Sequence, residues 1–361
     1  MRKSVLLLTI ALIVGTVFLL TGCGSQNTAD ETAKKEPKAE QKVEPKAQKA
    51  VTLKLAHQWP QDGEDYVVAA GMKFAEEVEK RTNGQVKIEM YPAQSLVKAK
   101  DTHTALKNGA IDMAIYPYIY AAGAVPELNI VLMPALWRNH DEVFAFKDSE
   151  VMKNIEEKLN KQLNFKTLSW IQISGGIAST DKAVQDIGDV EGLKWRSAGK
   201  YTEVMLKSLG GGTVSMASSE IYTALQRGLL NAVLTSSSSF GSYKLYEVAD
   251  YYTSPEDYSF YFTIEPLAIS MKAWDSLTED QQQIMLEVAK EVEQEALEGA
   301  KKEDARVAKM FADAGVTVEK MTKEQWDGFA KAAEENAYPA FREEVPNGEW
   351  LLDTTLKSYG R

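Results

Sequence analysis

Cysteine is nearly absent from this sequence of 361 residues, in which Cys23 is the only one. An internal disulfide is therefore excluded, so the fold must rely on the burial of a core. Histidine is also scarce, because His57, His103 and His140 stand apart and form no pair at metal-ligand spacing. A glycine-rich phosphate loop and a nucleophile elbow are both missing. These absences predict a protein with no bound metal, no cofactor and no catalytic residues.

Positive charge is in deficit as well. The formal net charge is −11, and the acidic excess lies in residues 51–361, because residues 1–50 carry a small net positive charge. An acidic globule is a poor candidate for binding nucleic acid, and it does not attract anions in general. Any anionic ligand must therefore be held by local chemistry.

Long apolar runs are limited to one, which extends from Val5 to Leu20 behind two basic residues. This run is short for a membrane-spanning helix and normal for the core of a signal peptide. Residues 20–23 read Leu-Thr-Gly-Cys, as in a bacterial lipobox, which predicts cleavage before Cys23 and acylation of that cysteine. The acyl chains would hold the protein at the extracytoplasmic face of the cell membrane or in the periplasm. The alternative is an uncleaved signal anchor with an incidental cysteine.

Three segments follow from this composition. Residues 1–22 are the predicted lipoprotein signal peptide. Residues 23–50 are rich in Lys, Glu, Ala, Gln and Pro, with Val43 as their only large apolar residue, and they are expected to form a flexible, lipid-anchored tether. Residues 51–361 are the folded domain.

The first part of this domain alternates between strand and helix patterns. Val51, Leu53 and Leu55 alternate as in a strand, a helical pattern follows as far as Gly84, and residues 86–90 form a second strand. Residues 101–108 then read as a helix that stops at Gly109, before a buried strand at residues 111–115. This order predicts a mostly parallel sheet covered by helices.

One unit of the chain occurs twice. Residues 105–115 and 224–234 both read as a helix end, a glycine cap, and a buried strand with a polar residue near its start. The repeat predicts two lobes on one plan, with lobe 1 at about 51–170 plus later segments and lobe 2 at about 171–270. Chance similarity between two ordinary junctions is the alternative. A capping box at residues 278–281 begins a long helix toward Met310, which is expected to brace both lobes.

Several motifs resemble one family, the DctP-type solute-binding proteins of tripartite ATP-independent periplasmic (TRAP) transporters. Residues 189–196 form a turn and a strand that ends in arginine, residues 219–228 match the pattern S-E-x-Y-x-A-L-Q-x-G, and residues 109–112 read G-A-I-D. The resemblance covers roughly residues 51–320. It implies an α/β, two-lobed periplasmic-binding-protein-like fold with a hinge, which closes over a small organic acid. It also implies a membrane permease with a small and a large subunit, driven by an ion gradient.

The resemblance gives Arg196 the central role, as the residue that holds the ligand carboxylate. A guanidinium offers a carboxylate two parallel donors, which lysine cannot reproduce. Without the resemblance, a surface arginine paired with an acid would be the simpler interpretation. We expect the partner of Arg196 to be the ligand and not the core, so its loss should harm binding more than folding. Lys182 stands near a second basic position of the family's sialic-acid binders, and Pro117 and Thr235 replace other residues of that subgroup. These departures imply a smaller, less hydroxylated acid, such as a simple carboxylate or a C4-dicarboxylate.

Further candidates follow from the strand ends, because ligands in such folds lie at the carboxyl ends of strands. Ser218 precedes a helix of the second lobe and is expected to help present backbone amides to an anion. Core packing is an equal alternative for each aromatic candidate, and a structural hydrogen bond is an equal alternative for His57. The remaining ligand-binding candidates are His57, Gln58, Trp59, Tyr116, Tyr118, Trp170, Gln172, Thr235 and Ser236.

The sequence thus predicts an extracytoplasmic solute-binding protein that is not an enzyme. Its expected partners are an organic acid, a TRAP permease and the lipid bilayer, with no nucleic acid. A binding protein of an ATP-driven importer and a membrane sensor with the same lobes are the first alternatives. An exported enzyme is the other, although no motif places a base beside the four serines at residues 236–239.

Overall fold

The computed structural model describes residues 50–361 apart from Asp62. The predicted signal peptide, Cys23 and nearly all of the predicted tether lie outside the described residues. Within the described part, the strands form a five-stranded and a seven-stranded sheet. In chain order, strands β1 to β12 are Val51–His57, Val86–Tyr91, Met113–Ile115, Phe165–Ser169, Gln172–Ser179, Lys194–Ser197, Gly212–Ser215, Ala232–Ser236, Tyr251–Ser254, Tyr261–Ile264, Leu267–Ser270 and Thr317–Lys320.

Both sheets are mixed. The first has the order β2-β1-β3-β11-β4, in which β1 is parallel to β2 and β3 while β11 is antiparallel to both of its neighbours. The second has the order β12-β9-β5-β8-β6-β7, and β10 also pairs with β5. Here β6 is parallel to β7 and β8, whereas β5 is antiparallel to β8, β9 and β10. The parallel arrangement predicted from the sequence is therefore found in only part of each sheet.

Helices cover the sheets and fill the C-terminal part of the chain. In chain order, helices α1 to α12 are Tyr66–Arg81, Thr102–Lys107, His140–Phe146, Glu150–Leu163, Lys200–Ser208, Ile221–Gln226, Ser237–Ser242, Met271–Trp274, Glu279–Asp313, Lys323–Ala332, Tyr338–Glu344 and Gly348–Ser358. None of the helices within the described residues is long and apolar enough to cross a membrane.

The described chain passes between the two sheets along three connections: β4 to β5, β10 to β11, and helix α9. Helix α9 has 35 residues, which corresponds to about 52 Å at a rise of 1.5 Å per residue. It begins at the predicted capping box, where Thr278 and Gln281 bond reciprocally. It packs against α1 on the first sheet and against α7, β9 and β12 on the second. The two-lobed α/β fold with a long helix bracing both lobes is confirmed.

The repeated unit has the same geometry in both lobes. Gly109 and Gly228 adopt φ angles of +64° and +66°, which favour glycine after the short helices α2 and α6. The polar residue near the start of each strand forms the same kind of hydrogen bond in both lobes. Asp112 accepts a hydrogen bond from the Lys54 amide at 2.8 Å, and Asn231 accepts one from the Lys194 amide at 2.6 Å. Each polar side chain therefore ties the start of its strand to the neighbouring parallel strand.

A candidate ligand-binding cleft between the lobes

Polar side chains from both lobes meet where the chain passes between the sheets. From the first lobe, His57 ends β1 and Gln58 follows it. Gln172 begins β5 at the first connection, and Glu265 lies at the second, where its amide donates to the Ile171 carbonyl at 2.8 Å. From the second lobe, Arg196 comes from β6, which is parallel to β8. This arrangement forms a candidate ligand-binding cleft at the hinge.

The Arg196 guanidinium is buried, with only 1% of the residue exposed. Its Nε and one terminal nitrogen donate to the Met216 carbonyl at 3.1 and 3.0 Å, and the other terminal nitrogen donates to the Leu234 carbonyl at 2.9 Å. These bonds occupy three of the five N–H donors of the side chain. No carboxylate among the described residues forms an ion pair with it. A buried cation without a counter-ion is costly, so the site favours an anion that takes the remaining donors.

Buried polar atoms at the connections between the sheets also lack protein partners. Within the described residues, neither ring nitrogen of His57 and neither amide atom of Gln58 or Gln172 has a hydrogen-bond partner. Glu265 Oε2 is likewise buried and unpartnered. Native proteins leave few such groups unsatisfied, and each one calls for a physical reason. Several of them at the connections between the sheets, with Glu265 near Arg196, point to a polar ligand site.

Burial also sets the protonation state of His57. Desolvation lowers the pKa of this imidazole to about 4, because the charged form loses its hydration. At neutral pH the ring therefore has one N–H donor and one acceptor nitrogen. Neutral His57 suits the recognition of a hydroxyl or carboxyl oxygen and not that of a cation.

Three tyrosines in this region have no counterpart among the sequence candidates. Burial raises the pKa of the Tyr261 hydroxyl, while the adjacent Arg196 acts in the opposite direction. Tyr243 donates to the Gln58 carbonyl at 3.1 Å, and its hydroxyl faces that of Ser218 without a hydrogen bond of good geometry. Tyr120 accepts a hydrogen bond from the Ser218 amide at 3.0 Å. Nothing in the local sequence around these three tyrosines sets them apart. Only their neighbours in space identify them as candidates for the site.

Glu265 is the other residue that the sequence candidates omit. Burial and the nearby Asp65 raise the pKa of its carboxyl well above the ordinary value, while Arg196 acts in the opposite direction. A local signal was available, because this single acid stands between two apolar strands, β10 and β11. An acid within an apolar run is either paired or functional.

The Ala217 and Ser218 amides, which precede α6, already have partners inside the protein. The Ser218 amide donates to Tyr120, and the Ala217 amide donates to the Glu220 carboxylate at 2.9 Å. Helix α6 has only six residues, with a short 3₁₀ turn, Ser218–Glu220, before it. This corrects the expectation that Ser218 presents free helix amides to an anion. Its hydroxyl is buried beside Tyr243 without a hydrogen bond of good geometry, so its contact with ligand stays a prediction.

The four serines at residues 236–239 connect the two lobes. The Ser237 hydroxyl donates to Asp304 of α9 at 2.5 Å, and the Ser238 hydroxyl donates to Asp65, the N-cap of α1, at 2.5 Å. Ser236 caps α7, and Ser239 accepts a hydrogen bond from the Trp59 indole at 3.4 Å. The hydroxyl of Ser236 and the indole of Trp59 therefore have structural partners. Their expected contact with ligand stays a prediction.

Other candidates have packing or hydrogen-bond partners in the first lobe. Tyr118 bonds to the Thr167 hydroxyl, and Tyr116 packs on Phe165 with ring centres 6.3 Å apart, so both lie in the core of the first lobe. The Trp170 amide donates to Glu293 of α9 at 2.8 Å, and its ring lines a separate open cavity of about 620 Å³ between α4 and α9. The Tyr116 hydroxyl and the Trp170 indole N–H are nevertheless buried without a hydrogen-bond partner among the described residues, so the expected ligand contact of these aromatics stays a prediction.

Lys182 lies just beyond the C-terminal end of β5, near the start of the neighbouring strand β8. Its carbonyl accepts a hydrogen bond from Ser179, which pairs with Ala232 at the start of β8. Thr235 lies at the other end of the same strand, next to Leu234, whose carbonyl accepts from Arg196. At about 3.3 Å per residue, Lys182 is about 10 Å or more from that end. This placement does not favour a contribution of Lys182 to the same site, which stays a prediction.

Comparisons with known proteins agree with this architecture. The family model of the bacterial extracellular solute-binding proteins, family 7 (DctP), matches residues 55–344. A solute-binding protein of Albidiferax ferrireducens is 37% identical over 298 residues, which cover 81% of this chain and 88% of that protein. The C4-dicarboxylate-binding periplasmic protein DctP of Rhodobacter capsulatus is 28% identical over 249 residues, or 68% and 73% of the two chains.

A solved structure is similar over most of the chain. It is that of a TRAP periplasmic solute-binding protein from Rhodoferax ferrireducens with bound malonate, and it has a TM-score of 0.82 and 34% sequence identity. The match covers 85% of this chain and 98% of that one. This chain therefore belongs to family 7 of the bacterial extracellular solute-binding proteins, the DctP family that serves TRAP transporters.

Proposed function

We propose that this protein binds a small organic acid at the hinge and delivers it to a TRAP permease. The observation that carries the proposal is the buried guanidinium of Arg196, which forms no ion pair within the part of the chain that the structure describes. A ligand carboxylate would supply the missing counter-ion and use the remaining donors. The relative from Rhodoferax ferrireducens holds malonate, an acid of the expected size.

The ligand would be bound without chemical change. Ser174 and Ser237 both donate to the Asp304 carboxylate, and the Nε2 of His140 lies 3.9 Å from the same carboxylate. In a hydrolytic triad the histidine stands between serine and acid, where it can remove the serine proton. Here the acid stands between them, so neither serine is activated. Within the described residues, no cluster of His, Cys, Asp and Glu could hold a metal ion.

Delivery is proposed to depend on closure of the two lobes. The Ser218–Tyr120 and Ser238–Asp65 hydrogen bonds both join one lobe to the other. Binding of the acid would favour this closed form over an open one, and the permease would recognise the closed form. We further propose the two-subunit, ion-driven permease of the family as partner, and acylated Cys23 as the anchor at the extracytoplasmic membrane face. An ATP-driven importer or a sensor remains the alternative partner, which the neighbouring genes would identify.

A screen of acids by thermal unfolding tests the proposal. At a hundred times its dissociation constant, a ligand adds about 2.7 kcal/mol to the free energy of unfolding. For a chain of this size that is a rise in Tm of about 5 °C. Malonate, succinate, lactate and pyruvate should be screened after refolding, which removes any acid retained from the cell. If none of a broad set of mono- and dicarboxylates raises the Tm, the proposal is wrong.

A further inference from the structure

Glu265 is a buried carboxyl group that the proposed function leaves unused. It lies directly after β10, and its backbone is fixed to Ile171 at the other connection between the sheets. The residue is only 2% exposed, and its Oε2 has no hydrogen-bond partner within the described part of the chain. A buried polar atom left without a partner costs about 1–3 kcal/mol. The position of Glu265 beside Gln172 at the cleft therefore calls for a function.

Five titratable side chains from different elements face this carboxyl: Arg196 of β6, Asp65 and Tyr66 at the start of α1, Tyr243 after α7, and Tyr261 of β10. Arg196 is the only cation in this set, and it forms no ion pair with Glu265.

Asp65 accepts hydrogen bonds from Ser238 and from the Val67 amide. Its negative charge disfavours ionisation of Glu265. Glu303 and Asp304 of α9 interact with Tyr66, which in turn interacts with Glu265. Arg306 of α9 forms an ion pair with Glu303 at 2.7 Å, so the acids Asp65, Glu303 and Asp304 outnumber the bases Arg196 and Arg306 by one.

Burial and the nearby Asp65 favour the protonated form of Glu265. Burial and Asp65 raise its pKa well above the ordinary value, and Arg196 only partly offsets them. A ligand carboxylate on Arg196 would add another negative charge and favour the protonated form further. A protonated carboxyl group has one O–H donor, which an ionised one lacks. The cleft then contains a guanidinium that attracts a carboxylate and, nearby, an uncharged acid that can donate one hydrogen bond.

We infer that Glu265 determines specificity, by donating its carboxyl O–H to a second oxygen of the ligand, at the end remote from Arg196. The inference rests on the proposed function and narrows its substrate class to acids that carry a hydroxyl, a keto group or a second carboxylate. A simple fatty acid would leave the O–H unpaired. An amino acid would place an ammonium group, which cannot accept a hydrogen bond, against it. The amides of Gln58 and Gln172 are available for the remaining hydrogen bonds of the same oxygen.

Four three-carbon acids test this inference at constant size: propionate, lactate, malonate and alanine. Calorimetric titration of the full chain should give lactate or malonate an affinity about tenfold or more above that of propionate. Glu265→Leu should bring this ratio close to one while leaving the affinity for propionate within about threefold of wild type. Glu265→Gln keeps an N–H donor and should keep most of the preference. Glu319→Gln removes the same charge from the exposed edge strand β12 and should change nothing.

The pH dependence provides a second measurement. Lactate carries one constant charge between about pH 6 and 9. The protonated form of Glu265 binds, so the affinity of wild type for lactate should be highest at low pH. Above the pKa of Glu265 it should fall by up to tenfold per pH unit. Glu265→Gln cannot ionise and should give a flat profile. Neutral His57 does not titrate in this range.

Three results would overturn the inference. The first is an unchanged preference for lactate or malonate in Glu265→Leu. The second is tighter binding of alanine than of lactate and malonate, because Glu265 would then act as an ionised acceptor for ammonium. The third is the same fall in lactate affinity with pH in Glu265→Gln as in wild type. In each case acids still bind, so the proposed function survives. Failure of every acid in the wider screen would refute both.

Discussion

Replacing Arg196 with lysine separates the charge of this side chain from its planar geometry. In the structure, Arg196 makes three hydrogen bonds to the carbonyls of Met216 and Leu234. Lysine keeps the positive charge, but its single ammonium group cannot reach both carbonyls and also bind a carboxylate in a forked geometry. The variant must therefore give up hydrogen bonds to the backbone, to the ligand, or to both.

The structure sets the size of both effects. Losing one or two hydrogen bonds to a charged group costs about 2–4 kcal/mol of ligand-free stability. Truncating one member of a buried charge pair costs about 2–5 kcal/mol of binding free energy, or about thirtyfold to several thousandfold in affinity. Arg196 thus supports the fold, which corrects the expectation that the core is not its partner. Arg196→Ala should lose more stability than Arg196→Lys, because it leaves both carbonyls unpaired.

The assay is calorimetric titration with malonate, together with the ligand-free Tm of each protein. Titrations should be run at least 15 °C below the Tm of the weakest variant, so that loss of binding is not loss of fold. Arg227→Lys is the matched control, because Arg227 is exposed on the same lobe. It should leave affinity and Tm unchanged. Affinity of Arg196→Lys within about threefold of wild type would refute the forked contact, and an unchanged Tm would refute the structural role.

Two further predictions concern packing and anchoring. Gly175→Ala should lower the free energy of unfolding by about 1–3 kcal/mol in urea titrations, because an added Cβ would lie 2.3 Å from the Thr235 carbonyl and 2.4 Å from Tyr261. Gly188→Ala meets nothing within 4 Å and is the control, and equal midpoints for the two variants would contradict this packing. Cys23→Ser should abolish incorporation of labelled fatty acid in cells. A wild-type protein that takes up no label would show that the lipid anchor does not exist.

Local rules were enough to predict several elements from the sequence. The capping box at Thr278 predicted the start of α9, because its hydrogen bonds join residues three positions apart. Gly109 and Gly228 were identified as helix caps, because the left-handed turn they occupy favours glycine whatever the rest of the fold. The repeat of this unit led to the two-lobed fold. A motif match also singled out Arg196 as the candidate for holding the carboxylate, and that role stays a prediction.

The surroundings of Arg196 depended on the tertiary structure. Lys182 looked like a second basic residue of the site. The antiparallel pairing of β5 with β8 places it beyond the C-terminal end of β5, near the start of β8 and away from Thr235. Glu265 looked like one acid among many, until the connection between the sheets brought it near Arg196 and Asp65. Patterns in the sequence predict interactions between residues that are a few positions apart in the chain. Contacts between residues far apart in the chain decide which side of a strand faces the cleft and which charges come together there. Only the packing of the two lobes determines these contacts.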